Sequence, residues 1–247
     1  GGEDAPIIVA GFFLGDKPTL EANLKRLLPK TYSKCEHEFK PVHGVPTAEP
    51  TMAFHHPQYQ PGPPLAALRA LALEPAPKET CDGGFYPHKV SSCFPGPQFS
   101  ARATEAIKKF LETSPAEPAA RRYLSLHCMG GAIAKPPSDD WSCFPYRDKP
   151  FMLQYQAWWA DPKDKPLAER CLNWIRDFRE TMKAKGYTEG AFINFPDKDL
   201  VPNPDTPEGR KALLRYYYAG NLNRLITIKQ KYDPKNFFNF EMGIPTS

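Results

Sequence analysis

Gln154 and Gln156 alternate along the run Phe151 to Trp159 (FMLQYQAWW), so their amides share one face of a strand while Leu153, Tyr155 and Ala157 share the other. An amide carries both donors and an acceptor, which suits it to sugar hydroxyls. A pair of amides on a polar strand face also suits plain solvation, and at this point both readings stay open. In the preceding alternating run, Tyr123 to Met129 (YLSLHCM), Ser125 and His127 share a face in the same way. The histidine could hydrogen-bond a hydroxyl or supply positive charge. Farther on, Asn194 and Asp197 lie in a loop after a short apolar run, and three consecutive tyrosines, Tyr216 to Tyr218, precede Asn221.

Several other chemistries lack their signatures. The chain has no GxGxxG, no GxxxxGK(S/T), no HExxH and no GxSxG, so the ordinary phosphate, zinc and acyl-transfer motifs are missing. His55 and His56 are adjacent and point to different sides of any strand, so no metal site is expected there. Six cysteines (Cys35, Cys81, Cys93, Cys128, Cys143, Cys171) lie far apart with no CxxC pair. Their even number permits disulfides without demonstrating any. The net charge of +4 comes from lysines and arginines scattered among acids, which argues against a nucleic-acid partner. No apolar run approaches the length of a membrane span.

The elements that must position these residues are punctuated by proline, 29 residues in 247. Twelve prolines fall between Pro41 and Pro97, and the spacing predicts mostly extended loop there, with one short helix at Leu65 to Leu73. Such a stretch is a lid, a binding loop, a linker, or a surface crossing packed on its own aromatics. Elsewhere Ile7 to Leu14 reads as a strand, and Gly15-Asp16-Lys17-Pro18 leads into a helix with Leu20, Leu24, Leu27 and Leu28 on one face. His88 to Phe94 reads as another strand. Ser100 is expected to cap a helix whose apolar face is Ala103, Ile107, Phe110 and Leu111. Lys165 to Lys185 is a strong amphipathic helix, with Leu167, Cys171, Trp174, Phe178 and Met182 at three- and four-residue intervals and Gly186 at its end. Gly190 to Phe195 is a further short strand, and Thr206-Pro207-Glu208 opens one last helix running to about Lys231. Packing alone would have that helix bury Tyr217, Leu222, Leu225 and Ile228. Strands separated by helices without tight βαβ spacing predict an α+β fold, an antiparallel sheet with helices packed on one face. The opening Gly1-Gly2-Glu3-Asp4, without an initiator methionine, reads as a cut end or a mature terminus.

From Tyr217 to Phe238 the residues spell YxxGNxxRLxxxKxxxDPxNxF, and Gly243-Ile244-Pro245 follows. This string resembles the C-terminus of the berberine-bridge-enzyme-like flavoprotein oxidases of the vanillyl-alcohol oxidase superfamily. Gly130-Gly131-Ala132-Ile133 resembles that family's GGxI turn after a central strand. The segments Leu153 to Trp159, Leu172 to Phe178, Asn194-Phe195-Pro196-Asp197 and Gly220 to Ile226 look closest to its hexose-oxidase members. The resemblance covers about half of the chain, from Tyr123 onward.

What the resemblance implies is specific. Residues 1–205 would form a substrate-binding domain, with 41–97 as its proline-rich loop region, and residues 206–247 would return to a flavin-binding domain. That domain, with its glycine-rich loop and flavin attachments, finds no counterpart in the chain. FAD would therefore be held mainly by a second polypeptide, the two chains arising by cleavage or as a split enzyme. The reaction would be oxidation of a sugar's anomeric hydroxyl to a lactone with oxygen reduced to hydrogen peroxide. The alternatives are an oxidase or dehydrogenase of another alcohol, or a non-catalytic binding subunit that kept the fold. Tyr217, four residues before Asn221, matches the family's catalytic base, a role that needs a neighbour favouring the phenolate because a free tyrosine loses its proton near pH 10. Asn221 would lie against the cofactor. Substrate contacts would come from Gln154, Gln156, His127, Ser125 and Asn194. Ser125 and His127 fall where sugar oxidases of the family tend to carry glutamine and aspartate, which bears on the substrate more than on the reaction. A secreted or extracytoplasmic setting is favoured.

Overall fold

The computed structural model describes residues 7–14, 16–30, 32–34, 38–42, 51–58, 86–114, 117, 119–135 and 142–246, and within 7–14, 38–42 and 51–58 only the backbone. The chain divides into two compact units, Gly1–Ala76 and Pro77–Ser247.

In the first unit, strands β1 (Ile7–Leu14), β2 (Glu38–Val42) and β3 (Thr51–Gln58) form an antiparallel sheet in the order β1-β3-β2. The proline-rich stretch was expected to be loop, so β2 and β3 correct that reading. Pro41 is on the edge strand β2, where a missing N–H is tolerated, and Pro57, paired with Ile8 of β1, lies beyond His55, the last β3 residue that β2 pairs with. The helix expected at Leu65 to Leu73 lies outside the described residues, as do Cys35 and Cys81. Helix α1 (Lys17–Leu27) starts at Asp16, whose carboxylate accepts the Thr19 amide at 2.8 Å. It buries Leu20 and Leu24, whereas Leu27, one of the four leucines expected on its apolar face, is exposed.

The second unit holds a four-stranded antiparallel sheet ordered β5-β6-β4-β7: β4 is His88–Pro95, β5 Ala120–Cys128, β6 Phe151–Trp159 and β7 Thr188–Glu189. Helices α2 (Ala101–Glu112) and α3 (Lys165–Ala184) cover one face. Asp164 caps α3 by accepting the Leu167 amide at 2.9 Å, and Gly186 follows the helix at φ +67°. Ser100 does occupy the N-cap position of α2, but its side chain makes no capping hydrogen bond. Alternation decides what the helices meet: Leu153, Tyr155, Ala157 and Trp159 of β6, with Cys93 of β4, face Leu167, Cys171, Trp174, Ile175, Phe178 and Met182 of α3. Each of the large side chains contributes about 1.5–3 kcal/mol by leaving water. Phe178 is the hub, stacked on Phe110 at 4.5 Å and edge-on to Tyr155 at 4.9 Å and Trp174 at 5.4 Å.

Two readings of the C-terminal half are corrected. The segment Gly190 to Phe195 is not a strand: β7 stops at Glu189, Gly190 turns to φ +60°, and Phe195 N–H closes a turn onto the Phe192 carbonyl at 3.0 Å. The single helix expected from Thr206 to about Lys231 is two, α4 (Pro207–Tyr218) and α5 (Leu222–Tyr232). Ala219, at φ +45° and ψ −124°, breaks the helical path between them. The strand before Gly130-Gly131 is β5, which is an edge of this sheet rather than a central strand. A second core of Ala191, Leu200, Leu213, Leu214, Tyr217 and Leu222 packs α4 and α5 against the 191–201 segment.

Candidate active site

The face of the sheet turned away from α2 and α3 carries the polar residues. Register places Tyr123 opposite Gln156, Ser125 opposite Gln154 and His127 opposite Met152, while Ser92 of β4 lies opposite Gln154. Parity then puts Tyr123, Ser125, His127, Gln154, Gln156 and Trp158 on one side. Both glutamines are only 7% exposed, so the solvated-face reading does not describe them.

Burial requires that their amides be bonded, and they are. Gln156 Oε1 accepts from the Tyr123 hydroxyl at 2.8 Å and from the Trp158 indole at 3.3 Å. Its Nε2 donates to Ser125 Oγ at 3.0 Å and to Gln154 Oε1 at 3.1 Å. That same Gln154 oxygen lies 2.7 Å from His127 Nε2. Around the network stand aromatic rings: His88 stacks on Trp158 at 4.2 Å, and Phe195 lies 6.4 Å from the His127 ring, with Phe192 and Phe144 next to it. Ser92 ties the 191–195 segment to this face by accepting the Phe192 amide at 2.9 Å. Four of the five expected substrate residues, Ser125, His127, Gln154 and Gln156, are therefore one hydrogen-bonded set. Asn194 is exposed in its turn and makes no hydrogen bond to them.

Tyr217 lies apart from that set. It is 2% exposed within the second core, and its hydroxyl accepts the Asp197 amide at 2.8 Å and donates to the Asp197 carbonyl at 3.3 Å. Burial pushes the phenol up to about 12, opposed by the Asp197 amide and the Arg179 charge and assisted by the Asp197 carboxylate. The groups that favour the phenolate are the Asp197 backbone N–H and the Arg179 guanidinium, and together they do not offset burial. Asp197, itself 1% exposed, is anchored by Lys89 and by its own bond to the Asp199 amide at 2.9 Å. Lys89 also reaches Asp199 at 3.2 Å, and Arg176 reaches it at 2.9 Å. Burial alone would raise the Asp199 carboxyl, but these two cations hold it below its ordinary value. Asn221 donates to the Cys143 carbonyl at 3.1 Å across the break between α4 and α5.

Tyr123, Trp158, His88 and Ser92 belong to this face and were not singled out from the sequence. Tyr123 and Trp158 could have been, because each sits two residues from a member of the set on the same strand. Lys89 and Asp197 are 108 residues apart and carry no such signal.

An antiparallel sheet with helices on one face is a fold that the second unit shares with solved flavoprotein structures. Solved structures with this fold include berberine bridge enzyme from Eschscholzia californica (TM-score 0.54, 17% identity, 97% of this chain and 54% of that one). Another is a glycopeptide hexose oxidase complexed with teicoplanin (TM-score 0.57, 19% identity, 98% of this chain and 56% of that one). The family described as berberine and berberine like matches residues 191–245. An uncharacterised FAD-linked oxidoreductase of Bacillus subtilis is 32% identical over 165 residues, 66% of this chain and 32% of its own length. Hexose oxidase of Chondrus crispus is 38% identical over 109 residues, 38% of this chain and 19% of its own length. Berberine bridge enzyme-like 25 of Arabidopsis thaliana is 36% identical over 124 residues, 47% of this chain and 22% of its own length.

Residues 191–245 thus carry the berberine and berberine like domain, and the chain is similar over part of its length to FAD-linked oxidoreductases of that kind. It spans about a third or less of the length of these curated relatives. Amides, a hydroxyl and an imidazole joined on one sheet face offer both donors and acceptors to a polar ligand.

Proposed function

We propose that this chain supplies the substrate-binding part of an FAD-dependent carbohydrate oxidase, which converts the anomeric hydroxyl of a sugar to a lactone and passes the electrons to oxygen. The observation that carries this reading is the bonded pair Gln154 and Gln156, with Ser125, His127 and Tyr123 around it. Such a set offers both donors and acceptors at fixed positions, which is how a protein holds a polyol without charge. Gln154 keeps its Nε2 free of any described partner, and Ser125 and Tyr123 are only half-buried, so each can meet a substrate hydroxyl. His88 stacked on Trp158 adds a flat apolar surface of the kind on which sugar rings rest. The similarity to hexose oxidase over 109 residues supports the sugar class.

FAD would serve as the hydride acceptor, held by a flavin-binding domain on a second polypeptide, with Asn221 next to it. The surface of 206–247 supports that arrangement: Tyr232, Phe237, Phe238 and Phe240 are 74%, 82%, 77% and 59% exposed. Four large rings bared along one short segment are unusual for a free surface and suit a partner of flavin-domain type.

The test is to isolate the native protein containing this chain, determine its subunit mass, and follow its flavin absorbance under anaerobic addition of hexoses. Bleaching by a hexose, with lactone and peroxide formed once oxygen is admitted, is the expected result. A colourless protein, or a flavin that no hexose bleaches, rejects the reading. A native mass equal to this chain alone in an active preparation rejects the second polypeptide.

A further inference from the structure

Oxidation of an alcohol requires a group that takes the hydroxyl proton. Resting on the reading above, we propose that His127 is a catalytic residue of this site, the base that accepts the substrate hydroxyl proton on its Nδ1 while Gln154 holds its Nε2.

The polarity of the network leads to this assignment. An indole N–H only donates, so the atom of Gln156 facing Trp158 must be its oxygen. The Gln156 amide nitrogen is then the atom that faces Gln154, and the Gln154 atom receiving it must be an oxygen as well. That oxygen only accepts, so the imidazole nitrogen 2.7 Å away carries the hydrogen. In the neutral ring the second nitrogen, Nδ1, is left as an acceptor. A donor-only side chain at one end thus fixes the tautomer of the histidine at the other.

Access favours His127 over the phenol. His127 is exposed on the sheet face that carries the proposed sugar contacts, and its described contacts are Gln154 and the Phe195 ring. Tyr217 is enclosed, both sides of its hydroxyl are taken by the Asp197 backbone, and burial holds its proton to about pH 12. Imidazoles exchange protons between about pH 5 and 8, the range in which a base works best near neutrality.

In the step, the substrate O–H bond breaks as the Nδ1–H bond forms. The oxygen electron pair becomes the second bond of the carbonyl as the C–H pair leaves as hydride, for which a bound FAD would be the two-electron acceptor. The product is a lactone with an imidazolium, whose Nε2–H bond to the Gln154 oxygen strengthens as the charge develops. The imidazolium then returns its proton to water.

The test uses the native flavoprotein and a sugar that reduces it. His127→Gln is expected to slow flavin reduction at saturating sugar by about 100-fold or more while sugar affinity changes less than about threefold. Because His127 is exposed, His127→Ala should fold, and added imidazole should restore part of its rate. Without turnover, the nitrogen-15 shifts of the His127 ring should report Nε2–H in the neutral form. Flavin reduction at the wild-type rate in His127→Gln, or an Nδ1–H tautomer, overturns the proposal. If no hexose reduces the wild-type flavin, the sugar reading fails by itself. The ring shifts, and the His127 variants assayed with whichever alcohol does reduce it, then decide the base.

Discussion

The ring of Tyr146 occupies the space that a side chain at Gly190 would need. A Cβ on Gly190 would fall inside the contact shell of the Tyr146 Cζ, and Gly190 also sits at φ +60°, where L side chains are strained. Tyr146 is fixed in turn by stacking on Phe94 at 4.3 Å and by donating to the Tyr216 carbonyl at 2.6 Å. Gly190→Ala is therefore expected to destabilise the protein by about 2–4 kcal/mol, part from the left-handed backbone and part from the clash. Repeating the substitution in a Tyr146→Leu background separates the two, since only the backbone share, about 1–2 kcal/mol, should remain. Urea denaturation midpoints of the four proteins measure it.

Ala219 shows the converse situation. It is an exposed alanine at φ +45° between α4 and α5, at the position that lets Asn221 reach the Cys143 carbonyl. Glycine adopts positive φ without cost, whereas alanine does not. Ala219→Gly is expected to raise unfolding free energy by about 0.5–1 kcal/mol, against the usual sign for alanine to glycine in a helix. A thermal melt that falls instead would mean the break relaxes in solution.

These two positions also mark what the sequence could not express. The alternation in FMLQYQAWW and the helical spacing of Leu167, Cys171, Trp174, Phe178 and Met182 are set by burial on one face, and both elements appear with nearly the expected bounds. That Ser125 and His127 share one face of their strand and the glutamines one face of theirs was legible for the same reason, because parity fixes faces, whereas their meeting depends on the register of β5 against β6. The helix break at Ala219 was not, since alanine is the best helix former and the tertiary path overrides its propensity. Nor was the loss of the Gly190 to Phe195 strand, where a left-handed glycine under the Tyr146 ring ends an otherwise apolar run. The surroundings of Tyr217 depend on the Asp197 backbone and on Lys89, far away in sequence, and local pattern cannot carry such contacts.

Gln156 is the node of the polar face, with four bonds through one amide. Gln156→Leu keeps its volume and removes them all. Tyr123, Ser125 and Trp158 are near enough to solvent to find water, so stability should change by only about 1 kcal/mol. The orientation of Gln154 is lost with its donor, and sugar affinity of the native flavoprotein should weaken by about tenfold or more, equivalent to about 1.4 kcal/mol. Ser125→Ala, at the edge of the network, should cost less. Equilibrium titration of the oxidised flavin spectrum with sugar, set beside thermal melts, tests the separation of binding from folding.

High pH should unfold this protein through its buried acids. Burial pushes the Cys93 thiol from 9.0 up to about 12, and the Tyr146 and Tyr217 phenols from 10.0 up to about 12. In each case the folded state keeps a proton that the unfolded chain has released. Stability from this source is complete below about pH 9, falls as the unfolded thiol and then the unfolded phenols ionise, and is gone once pH passes about 12. Each group steepens the fall by at most about 1.4 kcal/mol per pH unit. Tyr217→Phe should flatten the decline between pH 10 and 12, because one of the protons released on unfolding is removed. At neutral pH the same variant should cost about 1–3 kcal/mol, since the buried Asp197 amide loses its acceptor. Urea denaturation at pH 7.5, 9.5 and 10.5 provides the comparison, and an equal fall of the two proteins between pH 9.5 and 10.5 would show that Tyr217 ionises as freely in the folded state as in the unfolded chain.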